Sequence, residues 1–205
     1  MNVAQTVLLL IGYQNDYFSP TGILRNVVEE SAHHQTVLSN TLDLVQRLAP
    51  SPVRMVDTPI VFTDDYHELV NPIGILNTIK ELGAFKVGSD GVETIPELQA
   101  FANRITTIPG KRGLNAFSNT ALETLFQQWG ISDIVIAGAI SSICVDSTGR
   151  HAHSLDYRVT ILSDCTLGRS PVEQAFYCEQ IFPLYAQTMT HHELLQKLDI
   201  NTDSL

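Results

Sequence analysis

The sequence predicts an α/β fold in which helices cover both faces of a parallel β-sheet. Short apolar runs typical of buried strands alternate along the chain with longer segments of helical periodicity. Polar or glycine-containing segments follow several of these runs, at the strand ends where open α/β sheets form their sites. Strands and helices that alternate at this spacing favour parallel pairing through right-handed connections.

The composition is that of a globular protein, and we expect one domain over residues 1–205. The chain has 44% hydrophobic and 17% charged residues. Its net charge of −10, with only 12 Lys and Arg, argues against nucleic acids and anionic membranes as partners. We therefore expect a small-molecule substrate.

The termini and cysteines predict a cytoplasmic protein. The apolar run Val7–Ile11 is too short for a signal peptide or a membrane span. Three cysteines without CxxC or zinc-ligand spacing indicate neither a disulfide framework nor a structural metal, which fits a reducing compartment.

Apolar patterning predicts the elements of the amino-terminal half. Thr6–Tyr13 is a continuous apolar run that predicts a buried strand, and Gln14–Asp16 follows at its carboxyl end. Thr36–Leu48 has apolar residues near a 3.6-residue period and precedes two prolines, which predicts a helix. Pro59–Thr63 predicts a second buried strand, and Asn71–Leu82 a short helix.

The carboxyl-terminal half continues the alternation of strands and helices. Ser118 or Asn119 is expected to cap the helix that ends near Trp129. The long helix after Pro171 is expected to bend near Pro183. The predicted elements are a strand at Ile105–Pro109, a helix to Trp129, strands at Ile134–Ala137 and Arg158–Leu162, a helix at Pro171–Ala186, an edge strand at Gln187–Thr190 and a short terminal helix.

The stretch from Ile134 to Ala152 carries the strongest chemical signal. A buried strand is followed by a turn at Gly138, and Cys144 stands where a helix is expected to begin. Unpaired backbone N–H groups and the positive end of the helix dipole at such a position stabilise a thiolate. Cys144 is therefore the candidate nucleophile, and a buried structural cysteine is the alternative.

Three segments together resemble the isochorismatase-like cysteine hydrolase superfamily: LLLIGYQNDYF, PGKRGLNAFSNTALETLFQQWGISDIVIAGAISSICV and LDYRVTILSD. The resemblance extends over nearly the whole chain, from Thr6 to Thr190. It implies a three-layer, doubly wound (Rossmann-like), six-stranded parallel sheet with a catalytic Asp, Lys and Cys at its carboxyl edge. Together with the acidic composition it also implies a homo-oligomer, and we expect no cofactor.

The resemblance also implies a role for each matching residue. Cys144 matches the thiolate that attacks an amide-type carbonyl, and Lys111 matches the lysine that supports the charge. The match places a non-proline cis peptide between Ala139 and Ile140, where it forms an oxyanion hole with the cysteine N–H. The side chains expected around the substrate are Tyr17, Phe117, Ser141 and Ser142.

Gly12 stands where the family has its catalytic aspartate, so the third member of the set is missing. Glycine cannot carry a proton, and such acid–base assistance is typically worth about 10² to 10⁴ in rate. Asp16 is expected to hold or cap a loop, and Asp146 to point elsewhere from the first helical turn. Because glycine has no side chain to pack, we expect Gly12→Asp to raise amide hydrolysis at little cost in stability.

Three functions follow from these residues. The leading hypothesis is cleavage of a C–N bond in a small amide, imide or carbamoyl compound through Cys144. The second is a catalytically silent family member that binds a small molecule, which Gly12 favours. The third, isochorismate vinyl-ether hydrolysis, needs the acid that this sequence lacks.

The histidines do not indicate a metal site in the sequence. Asp65 and His67 resemble the D-W-H metal segment of nicotinamidases, but the remaining histidine of that site is not at its expected position. We therefore interpret Asp65–His67 as a solvated loop that binds no metal. Because the other histidines show no i, i+4 pairing on a helix face, we expect all of them at the surface: His33, His34, His151, His153, His191 and His192.

Overall fold

A six-stranded, all-parallel sheet forms the centre of the computed structural model, which describes residues 1–27 and 31–200. The strand order is β3-β2-β1-β4-β5-β6. The strands are β1 (Thr6–Ile11), β2 (Arg54–Asp57), β3 (Ile105–Thr107), β4 (Asp133–Ala139), β5 (Arg158–Leu167) and β6 (Gln187–Met189). The predicted fold class is confirmed. The strand order reverses between β1 and β4, the point at which doubly wound sheets open a crevice.

The helices connect consecutive strands along the chain, and the last helix follows β6. They are α1 (Asn15–Phe18), α2 (Ser31–Leu48), α3 (Ile75–Leu82), α4 (Pro96–Gln99), α5 (Leu122–Gln128), α6 (Asp146–Ser154), α7 (Pro171–Phe176) and α8 (His191–Lys197). Among the described residues, no helix combines the length and apolar character that crossing a membrane requires.

Strands β1 and β4 are buried along their whole length because helices cover both faces of the sheet. Alternate side chains of β1 enter different cores. Leu8 and Leu10 join one apolar cluster, whereas Val7, Leu9 and Ile11 join the other. The continuous apolar run in the sequence thus reflects burial on two sides.

The predicted strand at Pro59–Thr63 is wrong, since the second strand is β2. Proline has no N–H to donate to a strand ladder, and the pairing with β1 ends just before Pro59, where the Thr58 N–H donates to the Leu10 carbonyl. Ile60 and Phe62 are buried but form only isolated bridges beyond the strand. Burial without a ladder explains why this segment has the apolar pattern of a strand.

Two other boundaries differ from the prediction. β5 extends to Leu167 because a register shift after Ile136 pairs the end of β4 with Thr166 and Leu167. The expected cap at Ser118 or Asn119 is wrong. Asn119 has a left-handed φ of 60°, and α5 begins without a side-chain cap.

The bend near Pro183 is confirmed. α7 ends at Phe176, and the chain continues through a π-helical turn and then a 3₁₀ turn that contains Pro183. A proline inside a helix removes a backbone donor, so the chain leaves the α-helical path here.

Gln14 joins three segments at the carboxyl end of β1. Its side-chain amide donates to the carbonyls of Ile60 (2.8 Å) and Val92 (2.7 Å), and its oxygen accepts from the Ile60 N–H (2.9 Å). Gln14 is only 1% exposed, so water cannot replace these bonds. The position of the loops around the crevice therefore depends on this side chain.

We expect Gln14→Ala to destabilise the protein by about 3 kcal/mol, because it leaves several buried backbone groups unpaired. Gln127→Ala is the matched control, since the Gln127 side chain is exposed and donates to the Glu123 carboxylate at the surface. The free energies of unfolding from urea titrations compare the two. Equal losses for both variants would contradict the proposed role of Gln14.

Candidate active site

Cys144 lies at the carboxyl end of β4, in a π-helical turn over Ser141–Val145 that runs directly into α6. The thiol-bearing residue is 4% exposed. The expected strand–turn–helix context is confirmed. The helix proper begins two residues later than the sequence suggested, because the wide turn comes first.

Lys111 meets Cys144 inside the protein. Its Nζ donates to Cys144 Sγ at 3.5 Å, and the residue is 1% exposed. Its backbone is fixed by a parallel bridge to Ile60, beyond the end of β2. Burial lowers the pKa of the Lys111 ammonium, and the charge of Cys144 acts in the opposite direction. The lysine and cysteine that the family resemblance indicated are therefore in direct contact.

Among the described residues, no carboxylate forms an ion pair with Lys111. The Asp16 carboxylate accepts from the Phe85 N–H at 2.6 Å, which confirms its loop-holding role. The Asp146 carboxylate binds Arg150 (2.9 Å) and the Tyr185 hydroxyl (3.0 Å). Both carboxylates are therefore bonded to groups other than Lys111.

Gly12 has a backbone that other residues adopt only with strain. Its φ is +75°, and a Cβ built on it would lie 2.8 Å from the Ala139 carbonyl oxygen and 3.6 Å from Tyr17 Cδ2. The room that we expected for an aspartate at position 12 is therefore absent. The expectation that Gly12→Asp costs little stability is wrong, because both the left-handed φ and the contact with backbone oppose it.

The peptide bond between Ala139 and Ile140 is cis, as the resemblance implied. Ile140 is 1% exposed, and its carbonyl accepts from the N–H groups of Ile143 and Val145 at the start of the cysteine turn. The Ile140 N–H lies next to the turn that carries Cys144.

The two aromatic residues expected at the pocket lie in different surroundings. Tyr17 is beside Gly12 and packs against Phe85, with ring centroids 5.2 Å apart. Burial, followed by the charge of Cys144, raises the pKa of its hydroxyl, so the hydroxyl stays protonated at neutral pH. Phe117 instead packs in an aromatic cluster with Phe126, His151 and Tyr157.

Ser141 and Ser142 attach the cysteine turn to α7. Their hydroxyls donate to Gln174 and Glu173, each at 2.6 Å. Neither partner was predictable from the sequence. Ser170 and Pro171 mark where α7 begins, but nothing in their spacing connects that helix to the cysteine turn. Ser142 also lines a cavity of 640 Å³ together with Val27, Ile75, Thr78, Leu114, Ile143, Asp146, Ser147, Arg150 and Arg169.

The profile of the isochorismatase domain matches residues 6–193. The chain belongs to the isochorismatase family. A nicotinamidase from Arabidopsis thaliana is 24% identical over 78% of this chain and 71% of its own. A ureidoacrylate amidohydrolase from Pantoea ananatis is 24% identical over 91% of this chain and 80% of its own. A cysteine hydrolase structure from Pseudomonas syringae superposes with a TM-score of 0.85 at 18% identity, covering 97% and 94% of the two chains.

The histidines of this isochorismatase-family chain differ in part from expectation. Asp65 and His67 are exposed and share hydrogen bonds with the Thr63 hydroxyl, as a solvated loop does. The prediction that the remaining histidines lie at the surface is wrong for two of them. His34 is buried with its Nε2 3.0 Å from the Tyr17 carbonyl, and His191 is buried against two aspartates.

We expect iodoacetamide to alkylate Cys144 faster than the other cysteines at pH 7. The Lys111 ammonium contacts the Cys144 sulfur, whereas burial raises the pKa of Cys165 and raises that of Cys178 to about 11. Peptide mapping of the labelled protein gives the relative rates. Faster labelling of Cys165 or Cys178 would refute the assignment.

Lys111→Met should slow the alkylation of Cys144 by about tenfold or more, because it removes the charge that favours the thiolate. Arg112→Met is the matched control, since Arg112 pairs with Glu68 and is half exposed. Its labelling rate should equal that of the parent. An unchanged rate in Lys111→Met would show that the contact has no effect on the thiol.

Gly12→Ala should destabilise the fold more than Gly88→Ala. Both glycines have φ +75°, but a Cβ on Gly88 meets nothing within 4 Å. We expect Gly88→Ala to lower the free energy of unfolding by about 1 kcal/mol through backbone strain. At Gly12 we expect a loss of about 2 kcal/mol or more, because a contact with backbone adds to the strain. Thermal unfolding of the two variants measures the difference. Equal stability of Gly12→Ala and Gly88→Ala would contradict this expectation, because it would show that the β4 backbone shifts to accommodate the added Cβ at little cost.

Proposed function

We propose that this protein is a cysteine hydrolase that cleaves the C–N bond of a small amide, imide or carbamoyl compound. The observation that carries the proposal is the buried contact between Lys111 Nζ and Cys144 Sγ at 3.5 Å. Family membership supports it, as do relatives named for acting on nicotinamide and on ureidoacrylate. Both names describe hydrolysis of amide-type bonds.

The first half of the reaction forms a covalent intermediate. The Cys144 thiolate, paired with the Lys111 ammonium, attacks the carbonyl carbon, and the carbonyl oxygen takes the negative charge. The backbone N–H groups of Ile140 and Cys144 are the proposed donors to that oxygen. Transfer of a proton to the nitrogen lets the C–N bond break. The amine leaves, and an acyl thioester remains on Cys144.

We propose that Lys111 carries this proton in place of the missing aspartate. Its Nζ lies within hydrogen-bonding reach of the attacking sulfur, and its pKa is lowered by burial, so it releases a proton more readily than an ordinary lysine does. Neutral Lys111 then takes a proton from the water that attacks the thioester. The carboxylic acid leaves, and the thiolate–ammonium pair is restored.

The surroundings of the pair favour a small substrate. Cys144 and Lys111 are almost completely enclosed, and Tyr17 lies against the carboxyl end of β1 beside Gly12. The cavity of 640 Å³ is lined by Ser142 and Ile143, the two residues that precede Cys144 in the turn, and we propose that it holds the part of the substrate that does not react. Arg150 and Arg169 supply hydrogen-bond donors to the lining of this cavity.

A catalytically silent binding protein is the second candidate. Gly12 favours it, because the carboxylate used by the family for proton transfer has no replacement among the described acids. The same absence counts against vinyl-ether hydrolysis, which needs a strong acid. Measurement of product formation distinguishes an enzyme from a protein that only binds the compound.

We expect the parent protein to release ammonia or amine from at least one member of a panel of small amides, imides and carbamoyl compounds, and Cys144→Ser to lose that activity. Nicotinamide and a ureido acid belong in the panel. Cys178→Ser is the control and should retain the parent rate. Saturable binding of a panel compound without any product would favour the silent binder instead.

The pH profile should report the role of Lys111. As pH rises through the lowered pKa of Lys111, its proton is lost, so kcat/KM should fall on the alkaline side at a lower pH than ordinary lysine titration predicts. A rate that stays constant up to the range of an ordinary lysine would contradict this role.

A further inference from the structure

Two aspartates and two histidines meet away from Cys144, where α2, β5 and α8 come together. His191 Nδ1 lies 2.6 Å from Asp164 Oδ2, and its Nε2 lies 3.5 Å from Asp43 Oδ2. The His192 ring stands nearly perpendicular to that of His191, with centroids 4.1 Å apart. Ligand atoms of Asp43, His191 and His192 all lie within 4.8 Å of one another.

Asp164 holds His191 in one orientation. Its two carboxylate oxygens accept from the His191 backbone N–H at 2.9 Å and contact Nδ1 at 2.6 Å. His191 is 5% exposed, so the ring has little freedom to rotate. A carboxylate on one ring nitrogen, with the other nitrogen directed at further ligands, is the arrangement that fixes metal-binding histidines in proteins.

We propose that Asp43, His191 and His192 bind a divalent transition metal ion of the Zn²⁺ type, with Asp164 positioning His191. Two ligands about 2.0–2.1 Å from a tetrahedral zinc lie about 3.4 Å apart. The 3.5 Å between His191 Nε2 and Asp43 Oδ2 matches that spacing. His192 is exposed, and its ring, which contacts that of His191, can rotate on the solvent side toward the ion.

The donor set selects the class of metal. Two imidazoles and one carboxylate suit Zn²⁺, Co²⁺ or Ni²⁺, whereas Mg²⁺ and Ca²⁺ prefer oxygen ligands alone. Cys165 offers a sulfur near Asp164 and His191, but it is fully buried and its thiol pKa is raised by that burial. The nitrogen on that side, Nδ1, is already bonded to Asp164. The open side of His191 is the one that faces Asp43.

Arg47 competes for the same carboxylate. Its Nε donates to both oxygens of Asp43 at 2.9 Å. A carboxylate oxygen has more than one lone pair, so it accepts this bond and still coordinates an ion. The positive charge of Arg47 nevertheless opposes a cation at that distance. Removal of Arg47 should therefore tighten metal binding while it removes a contact between helix residues.

A metal at this site would join α2 to α8. Asp43 belongs to α2, whereas His191 and His192 begin α8. Because the ion would bind the folded arrangement and not the separated helices, it should stabilise the native state by mass action. The site is separate from the Lys111–Cys144 pair and takes no part in the proposed hydrolysis.

The test is titration of the metal-free full-length protein with Zn²⁺, Co²⁺ and Mg²⁺. Calorimetry measures the binding, and the melting temperature measures the stability of each metal complex. We expect saturable one-to-one binding and a higher melting temperature with Zn²⁺ and Co²⁺, and neither with Mg²⁺. His192→Asn should weaken Zn²⁺ binding about tenfold or more by removing a ligand from the exposed side. His67→Asn, an exposed histidine beside an aspartate elsewhere, is the matched control and should bind as the parent does.

Two further measurements identify the ligands. Arg47→Ala should bind Zn²⁺ about threefold or more tightly, an increase that a purely structural role of Asp43 would not produce. The Co²⁺ complex should lack a thiolate charge-transfer band. Equal Zn²⁺ binding by His192→Asn and the parent would overturn the proposal, as would a thiolate band that disappears in Cys165→Ser.

Discussion

The buried ammonium of Lys111 is the constraint on which the candidate site depends. A charge that is 1% exposed needs a partner, and among the described residues the Cys144 sulfur is the acceptor that it has. The pair therefore forms without any carboxylate beside Lys111. Lysine held by a neighbouring aspartate would keep its proton firmly, whereas this lysine has a lowered pKa. The proposed role of Lys111 as the proton carrier depends on this arrangement.

The close approach of β1 and β4 determines what the crevice can contain. Gly138 has φ +128°, and a Cβ there would collide with the Ile11 backbone. Gly12 is the residue after the end of β1, and a Cβ there would lie 2.8 Å from the Ala139 carbonyl oxygen. The space between these strand ends is occupied by backbone and by Tyr17. A carboxylate at position 12 therefore requires a different backbone path, and substitution alone does not provide one.

The contacts of α7 and α8 extend the fold beyond the sheet that carries the site. Ser141 and Ser142 attach the cysteine turn to α7, and His191 attaches α8 to β5 and α2. Both attachments join side chains that are buried or half-buried. Breaking such a bond costs free energy where the group left unpaired is buried. The two helices are therefore tied to the carboxyl edge of the sheet through specific atoms as well as by apolar packing.

The sequence by itself determined the α/β class, the strands around Leu8 and Ile136, and the pairing of Lys111 with Cys144 through the family resemblance. Periodicity and short motifs are local, so they survive without coordinates. The tertiary structure decided what depends on distant segments: that Pro59–Thr63 forms no ladder, that Gly12 has no room for an aspartate, and that His191 lies between two carboxylates. Contacts between residues far apart in the chain leave no local pattern in the sequence, which is why these three features were not predictable.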